Sequence, residues 1–118
     1  MSRIAILAAG LVAVLAFAGS TGARPEATKL VGTTGPGFTI TLKKGGKKVT
    51  TLKAGRYTIS VQDKSDFHNF HLMGPGVNKK TTVSEVKTKT WTVTLKKGTY
   101  RYVCDPHSSQ MKGSFKVT

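Results

Sequence analysis

Residues 100–115 read Tyr-Arg-Tyr-Val-Cys-Asp-Pro-His-Ser-Ser-Gln-Met-Lys-Gly-Ser-Phe. Eight consecutive positions of that stretch hold a thiol at Cys104, an imidazole at His107 and a thioether at Met111. Alternating Tyr100, Tyr102 and Cys104 read as the inward face of a strand, and Pro106 sets a turn that folds His107 back toward the thiol. Gly113 then releases the chain into a last strand, with Phe115 and Val117 facing in. Thiolate and thioether beside imidazole form a soft donor set that selects copper over hard cations. A trigonal site of that kind takes a second imidazole, and only His68 and His71 remain in the chain.

Strand parity separates the two. His68 shares the parity of the apolar Phe70 and Leu72, whereas His71 falls on the opposite face beside Asn69. His68 is therefore the expected ligand, and His71 a surface residue or one standing behind the ligands.

At these residues the chain resembles the cupredoxins, the small blue-copper proteins. The likeness is carried by Tyr-Val-Cys-Asp-Pro-His at 102–107, by Met111 and Gly113, and by His68-Asn69 opening an upstream segment. The resemblance implies one copper per chain, held in a plane by His68, Cys104 and His107 with Met111 axial. It also implies that Asn69 ties the two ligand loops together by hydrogen bonds. Three residues separate His107 from Met111, a spacing between those of plastocyanin-like and amicyanin-like loops. The implied function is one-electron transfer between redox partners, with His107 as the exposed electron port.

Outward from this stretch, the chain keeps the rhythm of short strands punctuated by glycine. Lys29 to Gly32 is a first strand, and Phe38, Ile40 and Leu42 alternate with polar residues in a second. Val49 to Leu52 pairs back after Gly45-Gly46. Tyr57, Ile59 and Val61 share one face, Phe67 to Leu72 is extended, a loop leads to a strand near Thr81 to Val86, and Trp91, Val93 and Leu95 alternate again. No segment after the leader has a helical period. The pattern predicts an all-β fold, a two-sheet antiparallel Greek-key sandwich. Its core draws on Phe38, Ile40, Leu42, Tyr57, Ile59, Val61, Phe70, Leu72, Trp91, Val93, Leu95, Tyr102, Phe115 and Val117.

Arg3 precedes an apolar run from Ile4 to Ala18, about 15 residues, short for a membrane span and suited to a secretory signal. Ala18 and Ala23 both fit a cleavage site, and Ala23 is preferred. Residues 1–23 are then the signal peptide and 24–118 a single copper-binding domain of an exported protein, periplasmic, extracellular or held at the cell surface. One cysteine permits no internal disulfide. An unpaired thiol in an oxidising compartment is explained by a buried metal bond.

The chain has 19 Lys and Arg against 5 Asp and Glu. Most lysines stand in doublets near glycines and strand ends. Such a field steers an acidic redox partner or holds the protein near an anionic membrane or wall surface. Nucleic acid is excluded as a partner, because there is no basic recognition helix and no aromatic platform among the lysines. Three histidines, with no nucleophile beside a base, leave no room for a catalytic centre, so an enzyme is not expected; a monomer is. Two other functions fit the same residues: copper storage or delivery, and a metal-free basic sandwich that binds a cell surface.

Overall fold

The structure, a computed structural model, describes residues 26–118. The expected signal peptide lies outside the described residues. Ten strands follow in chain order: β1 (Thr28–Thr34), β2 (Ile40–Lys44), β3 (Lys47–Lys48), β4 (Thr51–Leu52), β5 (Gly55–Asp63), β6 (His71–Gly74), β7 (Val77–Lys80), β8 (Lys87–Leu95), β9 (Gly98–Val103) and β10 (Lys112–Val117). One sheet has the order β3-β2-β1-β5-β8, the other β4-β10-β9-β6-β7. The described residues form a two-sheet all-β sandwich, as expected.

The sheets are mixed and not purely antiparallel, which corrects the expectation. β1 runs parallel to β5, with Thr28 opposite Tyr57, and β10 runs parallel to β4. Sequence alternation fixes which face of a strand is buried but carries no direction, so parallel pairs escape it. Three local expectations also change. The short strand after Gly45-Gly46 is Lys47–Lys48, and Thr51–Leu52 crosses to the other sheet. Strand β7 occupies Val77–Lys80, whereas 81–86 is a turn. Residues 67–70 lie outside either sheet, so His68 sits in a connection and not in a strand.

Most of the expected core is buried, together with Leu30, Val49, Leu52, Val77 and Tyr100. Ile40 is only partly buried, and Phe38 is 58% exposed. It stands before β2, where no sheet partner fixes its parity. The core positions the site through Phe70. Its ring stacks on Tyr102 at 5.6 Å and meets Trp91 edge-on at 6.2 Å, joining the two sheets. It also lies so close to the Gly32 backbone that a Cβ there would come within 2.8 Å of the ring. Burying such a side chain stabilises by about 1.5–3 kcal/mol. The residues just before it, His68 and Asn69, are thereby held at one end of the sandwich.

Candidate metal centre

Two connections build the site. After β5 the Asp63 carboxylate accepts the Ser65 N–H at 3.2 Å, and the Ser65 hydroxyl accepts the Phe67 N–H at 3.4 Å. These local bonds bend the chain out of the sheet. Thr81 clamps the far side: its hydroxyl accepts the Phe70 N–H at 2.9 Å, and its own N–H donates to the Phe70 carbonyl at 3.0 Å. Burial pushes the Asp63 carboxyl above its ordinary range, against the hydrogen bonds from Ser65 and Thr81.

The second connection joins β9 to β10. Cys104 is extended, and Asp105–His107 forms a single 3-10 turn with Pro106 near its start. The His107 N–H donates to the Cys104 carbonyl at 3.0 Å and the Met111 N–H to the His107 carbonyl at 2.8 Å. The Cys104 N–H closes the loop on the Met111 carbonyl at 3.0 Å. Pro106 thus acts as expected, and Met111 is locked opposite Cys104 by its backbone.

These loops bring His68, Cys104 and His107 together. The Cys104 Sγ is 3.6 Å from His68 Nδ1 and 3.5 Å from His107 Nδ1, and the two nitrogens are 3.2 Å apart. A triangle with those edges has its centre about 2 Å from each corner, the length of a metal–imidazole bond. The donor set fits a metal for a second reason. Both Nδ1 atoms lie against the thiol and against each other, while the other ring nitrogen of His68, Nε2, is buried without a partner. His68 and Cys104 are fully buried, Met111 nearly so, and His107 is partly exposed. His71 stays out of the triangle.

Asn69 ties the loops. Its Oδ1 accepts the Asp105 N–H at 2.7 Å, and its Nδ2 donates to Asp105 Oδ2 at 2.8 Å and to the Thr81 carbonyl at 3.3 Å. Behind it, His71 Nδ1 meets Asp105 Oδ1 at 2.8 Å and His71 Nε2 meets Asn78 Oδ1 at 2.6 Å. Partial burial pushes the Asp105 carboxyl up, but the bonds from His71 and Asn69 outweigh it and hold the group below the usual carboxylate range. The sequence reading left Asp105 without a role, although it directly follows the thiol; its carboxylate joins Asn69 to His71 across two loops.

Phe38 and Phe67 complete the rim. Phe38 meets the His107 ring edge-on at 5.0 Å and the His68 ring at 5.2 Å, while Phe67 lies 4.4 Å from His68. Both are exposed, at 58% and 47%. The sequence reading missed them as site residues because exposed phenylalanine is unusual and both precede the strands they adjoin.

A two-sheet sandwich that presents a buried thiol, two imidazoles and a buried methionine at one end is a small copper-binding protein. His68, Cys104 and His107 are placed together as its copper site, one per chain, with Met111 buried in the same loop as Cys104 and His107. The chain belongs to the cupredoxin-like domain family, whose family model matches residues 7–117. Among solved structures it is similar to reduced rusticyanin, with 20% identity, a TM-score of 0.60, and 81% of this chain and 82% of that chain covered. Another structure, of the copper protein rusticyanin, shares 19% identity at a TM-score of 0.59 and covers 80% of each chain. Rusticyanin from Thiobacillus ferrooxidans shares 24% identity at a TM-score of 0.55, with 80% and 79% covered. A comparison with curated protein sequences gives no match.

Proposed function

We propose that the protein is an exported one-electron carrier and not an enzyme. The observation that carries this reading is the donor triangle of His68, Cys104 and His107, buried on all sides but that of His107. Copper held there supplies a one-electron couple between Cu(I) and Cu(II). The chain's own residues keep that couple fast. Asn69, Asp105 and Thr81 fix both loops in place, so the ligands need not move when the charge changes, and the fully buried Cys104 keeps water from the sulfur. Met111, buried in the same loop, would supply a thioether to the copper and help tune its potential.

Export is supported by the positively charged start and the apolar run Ile4–Ala18. Redox partners dock on the end where His107 reaches the surface between Phe38 and Phe67. The exposed lysines that border this end, Lys64, Lys80, Lys87 and Lys112, favour an acidic partner among them.

The test is an optical and electron-paramagnetic-resonance spectrum with one equivalent of Cu(II), repeated for Cys104→Ser. An intense visible band that ascorbate bleaches and the Ser variant lacks is expected. A colourless protein, or a spectrum unchanged by the substitution, would refute the reading. Rapid surrender of the copper to an apo-acceptor would point instead to delivery.

A further inference from the structure

The acidic charge of this molecule is gathered at one end. Four of the five acidic residues stand with the ligands: Asp63 at the end of β5, Asp66 after it, Glu85 before β8, and Asp105 in the ligand loop. Lys64, Lys80, Lys87 and Lys112 border the same end and offset them. The opposite end is cationic. Lys44 and Lys47 flank the Gly45-Gly46 turn, Lys53 and Arg56 flank the entry to β5, and Lys96 and Lys97 form the β8–β9 turn. All six are exposed. The register places the last two beside the others, because Leu95 pairs with Gly55. Lys44, Lys53 and Arg56 line one groove in which Glu26 is the only acidic side chain.

The hairpin at this end is built against its own charge. Lys43 lies directly opposite Lys48, and Lys44 opposite Lys47. Like charges facing each other across strands are destabilising, so four lysines on one short hairpin weaken the fold unless an anion lies against them.

We propose that this cationic pole seats the protein on an anionic lipid surface and leaves the ligand end facing away from it. Two features favour a bilayer over a compact acidic partner. The cations are spread over three separate turns on long side chains, an arrangement that suits a plane of charge. Of the exposed large hydrophobic residues among those described, Phe38, Phe67 and Val86 lie away from this pole and only Val31, opposite Lys43, borders it, so it lacks the apolar centre on which a protein interface is built. The nine residues of β5 separate the poles by roughly 30 Å, nearly four screening lengths of about 8 Å at physiological salt. The lipid charge therefore attracts the cations without repelling the acids around the ligands.

The experiment is co-sedimentation of the purified protein with vesicles of phosphatidylcholine alone, and with about a quarter phosphatidylglycerol. Binding to the anionic vesicles only is expected, and its release by salt. The triple variant Lys44→Glu, Lys53→Glu, Arg56→Glu should bind about a hundredfold more weakly. Lys64→Glu, Lys87→Glu, Arg101→Glu, with the same change of net charge elsewhere on the surface, should lose less than about tenfold. Vesicles should slow amide exchange at residues 44–56 and not at 35–38 or 105–110. Should the first variant fail to fold, Lys47→Gln gives a second reading with opposite signs: the hairpin becomes more stable, while vesicle binding falls about fivefold. Equal binding to both vesicle types, equal losses in the two triple variants, or protection of the ligand end would overturn the proposal. So would tighter binding to soluble polyglutamate than to vesicles, which would assign the pole to an acidic protein.

Discussion

Asn69→Ala tests whether the two ligand loops are held by the protein itself. The substitution removes three hydrogen bonds at once: the 2.7 Å bond from the Asp105 N–H, the 2.8 Å bond to its carboxylate and the 3.3 Å bond to the Thr81 carbonyl. Neutral bonds of this kind stabilise by about 1 kcal/mol each and one to a charged group by about 1.5–3 kcal/mol. The long Thr81 bond deserves little weight, so the expected loss is about 3 kcal/mol. For a domain of this size that corresponds to a fall in Tm of roughly 12–24 °C. The assay is thermal unfolding of the metal-free protein followed by circular dichroism, which separates loop anchoring from ligand affinity. Adding Asp105→Ala to the variant should cost less than the same change in the parent, because the two residues share a bond. A Tm shift below about 5 °C would show that the loops are held by packing alone and refute this account.

Burial raises the Asp63 carboxyl above its ordinary range, so the folded state binds that proton more tightly than the unfolded chain. This preference stabilises the fold below the unfolded value of about 3.9 and is lost as pH rises through the higher folded value. Relative to Asp63→Asn, the parent should therefore lose stability on going from about pH 4 upward, measured as Tm against pH. Gly35→Ala places a Cβ 3.0 Å from Ser65 Cβ and 3.2 Å from the His68 ring, at a φ of +77°. The left-handed backbone alone costs about 1–2 kcal/mol, and an altered Cu(II) spectrum is expected beside the lower Tm. Replacing Phe38 and Phe67 together by Ser should leave Tm within a few degrees, because both rings are largely exposed, while slowing electron exchange with partner proteins. Stopped-flow measurement would detect that change, and an unchanged rate would exclude the rim as a docking surface.

The sequence made the buried faces readable because period-two alternation needs only one strand at a time. Tyr57, Ile59 and Val61, or Trp91, Val93 and Leu95, announce their face without knowledge of a neighbour. Phe38 misled for the same reason: it continues the alternation of β2 backward into a connection where nothing packs on it. Parity put His68 on the buried side, where it is fully enclosed although residues 67–70 are not a strand, because Phe70 is anchored on Gly32 and Tyr102 in the core. The parallel pairs and the His71–Asp105–Asn69 chain were not legible. Each depends on which distant segments become neighbours, and local patterning does not encode that.

Strand β10 lies between β4 and β9, and the strands nearest in sequence to the ligand loop are the last of the described elements. Thr51 finds Lys116 and Thr28 finds Tyr57 only across long stretches of chain. Topologies of this type fold slowly, in milliseconds to seconds. Until β10 docks, the Met111 carbonyl has not closed on the Cys104 amide, and the thiol that ends with 0% exposure is open to solvent. Biogenesis is thus a race between strand closure and oxidation of a single sulfur. The yield of active protein depends on the redox conditions met while the chain is still folding, more than on those it meets afterwards.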